Sequence, residues 1–229
     1  MIACVAWADW IRGAEIEPSI YAADFARPGE QVTALLDAGC RVFHFDVGDG
    51  HFVEPVTMGP IVLKDLAPLV HERGGAFDAH LMVENPAKYF APFAAAGADS
   101  VTFHFEAVDD VPGTIRAARA HGLQAGVAFN PESSPDEVAA VTGDADIVLC
   151  MSIHPGYSGQ RFQEDALGRV ARLRELLPAH IHIQVDGGVG PGNIGRLRES
   201  GATLFVGGAS VFGHDDPPAA YRELAQLVV

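Results

Sequence analysis

The strongest constraint on the fold is a rhythm of eight short apolar runs, roughly 20 to 35 residues apart, with helix-patterned segments between them. The runs are Glu17–Ile20, Val42–Val47, Phe77–Val83, Val101–Phe105, Gln124–Phe129, Ile147–Ser152, Ile181–Asp186 and Leu204–Gly207. Segments such as Gly29–Ala38, Pro86–Ala96, Val111–His121 and Ala166–Leu177 carry apolar residues at helical spacing. Many of them end at a glycine suited to the left-handed turn that closes a helix. Strand alternating with helix implies parallel strands, because every return to the sheet needs a crossover. Asp37-Ala-Gly39, Ala96-Gly-Ala-Asp99 and Ser200-Gly-Ala202 repeat one helix-to-strand turn. Eight such units close into an α/β fold, a single (β/α)₈ barrel or TIM barrel. A doubly wound open sheet is the alternative. It usually has fewer strands and a glycine-rich dinucleotide turn, whereas the first turn here reads Pro18-Ser-Ile-Tyr-Ala-Ala-Asp24.

The 229 residues suit one such domain, 1–229, with residues 1–15 as an N-terminal extension whose first dozen residues are loosely held. Thirty acidic against fifteen basic residues give a formal charge of −15, which argues against nucleic acid or an anionic membrane as partner. Asp9, Arg12 and Glu15 interrupt the apolar opening, and the charged start of a secretory signal is missing, so the expected compartment is cytoplasmic. Cys4, Cys40 and Cys150 have neither paired nor metal-finger spacing, which fits buried thiols in a reducing compartment. No apolar run approaches the ~20 residues that span a bilayer.

In a barrel of this kind the reactive groups stand at the C-terminal ends of the strands. The polar residues ending the runs are Ser19 (first), His44 and Asp46 (second), His80 (third), Met151 and His154 (sixth), Asp186 (seventh), and Gly207 and Gly208 (eighth). His44 and Asp46 are two apart and share a face. With His80 and Asp186 they make a two-histidine, two-carboxylate set that suits one divalent metal ion such as Zn, Fe, Mn or Co. Val185-Asp-Gly-Gly-Val-Gly190 and Val206-Gly-Gly-Ala-Ser210 each precede a helical turn, where backbone N–H groups can cradle a phosphate. Amide dipoles would bind that dianion without Lys or Arg, in keeping with the acidic composition. His154-Pro-Gly-Tyr-Ser-Gly-Gln160 has the glycines and polar groups of a mobile flap. His51 and Phe52, after the Asp49-Gly50 turn, are further candidates to face the pocket.

Pro18-Ser-Ile with Ala23-Asp-Phe25, HFDVGDGHFV (44–53), DAHLMVENP (78–86), GADSVTFHFEA (97–107), MSIHPGYSGQRF (151–162), VDGGV (185–189) and GGASVFG (207–213) together resemble the ribulose-phosphate 3-epimerase family in order and spacing, from about Ile16 onward. The resemblance implies a TIM barrel of the ribulose-phosphate-binding type. It further implies inversion at C3 of a ketose phosphate, D-ribulose 5-phosphate to D-xylulose 5-phosphate, by two aspartates acting through an enediolate. His44, Asp46, His80 and Asp186 match the family's metal ligands, and Asp46 and Asp186 its acid/base pair. Ser19, His51, Met82 and Met151 match positions lining the substrate pocket. Ser158 in the flap, with Gly187, Gly188, Gly208 and Ala209, falls in its phosphate-contacting loops, and Gly156, Gly159 and Ser210 beside them are further substrate-binding candidates.

The chain departs from the family where DVMDGHFVPN becomes DVGDGHFVEP, putting Gly48 in place of a pocket-ceiling methionine and Glu54-Pro55 in place of Pro-Asn. NPGFGGQ becomes HPGYSGQ and SILSADF becomes SIYAADF. These changes are expected to alter the pocket's shape more than its chemistry, which leaves a 3-epimerase of another ketose phosphate, such as a hexulose 6-phosphate, as the alternative. A non-catalytic sugar-phosphate-binding barrel is the rival from another class, disfavoured because a binder needs no pair of opposed bases. A Schiff-base aldolase is disfavoured because the only lysines, Lys64 and Lys88, fall in predicted helices. The Asp-x-Lys-x-x-Asp strand of an orotidine-monophosphate-type decarboxylase is absent. The expected partners are a small sugar phosphate and further copies of the chain in a homo-oligomer.

Overall fold

In the computed structural model, which describes residues 7–11, 13–157 and 159–228, each apolar run becomes a parallel strand. The strands are β1 (Glu15–Pro18), β2 (Val42–Gly48), β3 (Ala76–Met82), β4 (Ser100–His104), β5 (Gln124–Phe129), β6 (Ile147–Met151), β7 (His182–Asp186) and β8 (Leu204–Gly207). Each pairs with its neighbour in sequence from β2 to β8, β8 pairs with β1, and a bridge from Ser19 to His44 brings β1 against β2. The result is a nearly closed eight-stranded TIM barrel, not an open doubly wound sheet.

Around it, in chain order, lie α1 (Trp7–Trp10), α2 (Pro28–Asp37), α3 (Pro60–His71), α4 (Ala87–Ala96), α5 (Val111–Ala120), α6 (Pro135–Val141), α7 (Ala166–Leu176), α8 (Ile194–Glu199), α9 (Ala209–Phe212) and α10 (Pro217–Gln226). Helix starts follow local chemistry: α2, α3, α5, α6 and α10 carry proline in the first turn, where its missing N–H costs nothing. The side chains of Asp110 and Asp216 accept from the N–H of Gly113 and Ala219 at 2.9 and 3.0 Å, capping α5 and α10. Gly97 ends α4 with φ of 100°, a conformation that favours glycine.

Alternation along β2 fixes what each face does. Phe43 and Phe45 are fully buried in the apolar layer shared with the helices, while His44 and Asp46 take the intervening, inward positions. The floor is closed differently. Trp7 and Trp10, rings 4.9 Å apart and 78° to each other, pack on Val42, Ala76, Ile147 and Leu204, the first residues of β2, β3, β6 and β8. The backbone N–H of Trp7 donates to Gln124 Oε1 at 2.9 Å. Part of the stretch read as an extension is therefore a plug at the N-terminal end of the strands. β1 also begins two residues ahead of the predicted run, because Glu15 disguises its start, and Glu17 is fully buried inside the barrel. Cys40 and Cys150 are free and buried, and Cys4 lies outside the described residues. Among the described residues no helix is long and apolar enough to cross a membrane.

Candidate active site

At the C-terminal mouth of the barrel, β2, β3 and β7 bring four side chains to one point. His44 Nε2 lies 3.2 Å from Asp46 Oδ1 and 3.2 Å from His80 Nδ1. His80 Nδ1 is 3.0 Å from Asp46 Oδ1 and 3.8 Å from Asp186 Oδ2. One ligand-type atom from each of the four residues lies within 4.8 Å of the others. Two ring nitrogens and two carboxylates converging in this way form a donor set that fits a divalent cation of the Zn, Fe, Mn or Co type. The second oxygen of Asp46 accepts from the hydroxyl of Ser19 at 2.5 Å, which fixes the carboxylate plane.

The two aspartates differ in charge state in the metal-free chain. Burial raises the Asp46 carboxyl, but the neighbouring His44 and hydrogen bonds from His44 and His80 outweigh it and hold Asp46 below the ordinary carboxylate range. Burial, followed by the charge of Asp46, pushes Asp186 up to about 7. The two environments thus push the carboxyls apart, favouring charge on Asp46 and a proton on Asp186, the asymmetry that an acid/base pair uses.

Ser19, Asp46, Met82, Met151, Gly156 and Asp186 line a narrow cavity above this cluster, together with Tyr21, Ile153 and Tyr157. A second hollow shares Ile153 and Asp186 with the first and is walled by Gly159, Gln160, Gly187, Gly188, Gly208, Ala209 and Ser210. Two glycines there are required by geometry. A Cβ on Gly187 (φ 114°) would come within 2.4 Å of Ile153, and one on Gly188 (φ 64°) within 2.9 Å of the Phe162 backbone nitrogen. Asn193 holds the turn from below, its amide donating to Gly188 O and accepting from Gly190 N–H, both at 2.9 Å. The buried hydroxyl of Ser210 has no hydrogen-bond partner among the described residues.

Two expectations fare differently. His51 lines neither hollow; it is exposed, with Nδ1 3.0 Å from the carbonyl of Asp49, because the Asp49 carboxylate accepts the N–H groups of His51 and Phe52 and curls the turn away. Ser158 lies outside the described residues. Gly48 does not open the cavity either. A Cβ there would stand 2.6 Å from the Pro55 carbonyl and 2.9 Å from Val53, so the glycine admits the folded-back 53–57 loop. Tyr21 and Tyr157 were not picked out from the sequence as wall residues. Glu17, Asp78 and Gln184, each two residues before a residue of the mouth, were also missed, although strand alternation places them on the same inward face.

A family model, the ribulose-phosphate 3 epimerase family, matches residues 15–212. The chain belongs to the ribulose-phosphate 3-epimerase family. Ribulose-phosphate 3-epimerase of Candida glabrata is 40% identical over 215 residues, covering 88% of this chain and 87% of the relative. The Escherichia coli protein of the same name is 40% identical over 204 residues, covering 88% and 90%. The Mycobacterium tuberculosis one is 39% identical over 215 residues, covering 93% and 92%. Among solved structures, 3-hexulose-6-phosphate synthase from Salmonella typhimurium superposes with a TM-score of 0.71 at 17% identity, covering 93% of this chain and 98% of that one. Orotidine 5'-phosphate decarboxylase from Pyrococcus horikoshii gives 0.68 at 17%, covering 93% and 98%. At such identities these two report the barrel alone. In this ribulose-phosphate 3-epimerase family member the matched residues span all eight strands, and the four converging side chains sit on three of them.

Proposed function

We propose that the chain is a metal-dependent isomerase that inverts C3 of D-ribulose 5-phosphate to give D-xylulose 5-phosphate. The observation that carries this reading is the joint placement of Asp46 and Asp186 on the wall of one cavity, with their oxygens in the four-residue cluster. β2 and β7 are separated around the ring by β1 and β8, so the two carboxyls approach a bound substrate from different sides. One aspartate removes the proton at C3 and the other returns a proton to the opposite face, by way of an enediolate. His44, Asp46, His80 and Asp186 would hold the divalent ion, which supplies Lewis-acid stabilisation of the charge developing on the substrate oxygens.

The remaining wall residues bind and orient. Ser19 keeps Asp46 aligned, Met82 and Met151 close the cavity with apolar surface that excludes water, and the loop bearing Gly156 and Gly159 covers it. Gly187, Gly188, Gly208, Ala209 and Ser210 take the phosphate. Ser210's unpartnered hydroxyl offers it a hydrogen bond, as do the N–H groups opening α9, which no carbonyl of that helix can reach. Phosphate anchoring supplies the remote binding energy that holds C3 between the aspartates. A cytoplasmic homo-oligomer goes with this reading, supported by the exposed apolar Val56 and Ile61; light scattering in solution tests the association.

The test of function is turnover of purified, metal-supplemented protein with D-ribulose 5-phosphate, followed by formation of D-xylulose 5-phosphate. Chelator-treated protein should lose the activity and regain it with added divalent ion. Turnover of a hexulose 6-phosphate but not of the pentulose would move the substrate, and no turnover of any ketose phosphate would refute the reading.

A further inference from the structure

Strand β4 contributes nothing to the cavity wall, yet its last residue, His104, is fully buried and its ring stacks on that of His80, centroids 5.0 Å and planes 23° apart. The Nε2 atoms of the two rings face each other at 2.9 Å. The other ring nitrogen of His104, Nδ1, is 3.3 Å from Glu106 Oε2. Glu106 is anchored in turn, since its Oε1 accepts from the Asn130 N–H at 2.7 Å and the Ser133 hydroxyl at 2.5 Å. Phe52, from the neighbouring turn, packs against the His104 ring at 4.7 Å.

The directions of these hydrogen bonds determine one another, because a neutral imidazole has one donor and one acceptor. An ionised Glu106 has no proton to donate and can only accept. Burial opposes its charge, but hydrogen bonds from His104, Ser133 and Asn130 bring its carboxyl below the ordinary range. The proton of His104 therefore sits on Nδ1, facing Glu106, and Nε2 offers a lone pair to His80. His80 must then carry its own proton on Nε2, which leaves the Nδ1 lone pair aimed at Asp46, His44 and Asp186. Asp46 pulls the other way: with Oδ1 3.0 Å from His80 Nδ1, it would draw the proton to the nitrogen that has to be bare in order to bind a cation.

We propose that His104 and Glu106 are positioning residues for the metal centre. The relay from Glu106 through His104 holds His80 in the Nε2–H tautomer and in the ring orientation that presents Nδ1 as a ligand. This rests on reading His44, Asp46, His80 and Asp186 as a cation site. Such outer partners of a ligating histidine typically change metal affinity 10- to 100-fold.

The experiment is a titration of the metal-stripped protein with Co²⁺, followed by visible absorption and by chelator competition, on wild type, His104→Ala, His104→Gln and Glu106→Gln. His104→Ala should weaken Co²⁺ binding by about 10- to 100-fold. His104→Gln, whose amide oxygen can accept from His80 Nε2–H, should recover part of that loss, and Glu106→Gln should fall between the two. In a His80→Ala background, His104→Ala should cost nothing further. Wild-type affinity in His104→Ala, or an equal loss without His80, overturns the relay while leaving the metal site standing. If His104→Ala does not fold, unchanged affinity in Glu106→Gln, at the solvent-facing end of the relay, overturns it. Wild-type protein that takes up no Co²⁺ overturns the relay and the metal site together.

Discussion

Glu17 inside the barrel predicts a large pH dependence of stability that one atom-for-atom exchange should abolish. Its carboxyl is fully buried, one oxygen accepts from Gln184 Nε2 and the other has no hydrogen-bond partner among the described residues. Burial, then the nearby Asp78, raises its titration from 4.5 to about 8. The sign follows from linkage: a group whose pKa rises on folding supports the folded state fully below its unfolded value and loses that support as pH climbs toward the folded one. At pH 7 the unfolded carboxyl is ionised while the folded one is protonated. Folding then costs 2.5 pH units at about 1.4 kcal/mol each, or about 3 kcal/mol, approaching about 5 kcal/mol above pH 8. Glu17→Gln keeps an oxygen for Gln184 and removes the titration. The variant should match wild type near pH 4.5 and exceed it by about 3 kcal/mol at pH 7. Urea unfolding of both metal-free proteins across pH 4.5–8.5 measures this, and parallel stability curves would refute the reasoning.

Two further substitutions test the architecture. Gly188→Ala puts a side chain where φ is 64° and the Phe162 nitrogen would be 2.9 Å away; it should cost about 1–3 kcal/mol of stability and raise KM for the sugar phosphate more than it lowers kcat. Trp10→Ala empties the plug on the floor and should cost about 3–5 kcal/mol in thermal or urea unfolding. Because the plug lies at the opposite end of the strands from the cavity, kcat/KM at a temperature where the variant is folded should stay unchanged.

The barrel was legible because its rhythm is one-dimensional: apolar run, helix, glycine turn, eight times over. The cluster at the mouth was legible for a related reason. His44, Asp46, His80 and Asp186 lie at strand ends, and strand ends of a parallel barrel share one rim. What escaped was set by tertiary packing. The start of β1 was missed because Glu15 reads as solvent-facing, its shielding depending on Arg41 far along the chain, and the burial of Glu17 depends likewise on Gln184. Trp7–Trp10 is too short to show periodicity, so its role as a plug appears only once the strands supply a floor. His51 matches a family position and Gly48 departs from one, but the path of the 49–57 loop decides that His51 faces solvent and that position 48 has no room for a side chain. His104 and Glu106 fall within the 97–107 motif but show no task there, because a contact between histidines on β3 and β4 is written in the register of the two strands rather than in either run.

The central claim is that two aspartates exchange the C3 proton of a ketose phosphate. Proton NMR of metal-loaded protein with D-ribulose 5-phosphate in D₂O tests it most directly, run beside Asp46→Asn and Asp186→Asn variants shown to retain metal. Loss of the C3–H signal together with appearance of C3-deuterated D-xylulose 5-phosphate, both abolished or slowed by orders of magnitude in each variant, is the predicted result. Epimer formation without deuterium incorporation, or undiminished exchange in either variant, would contradict the account.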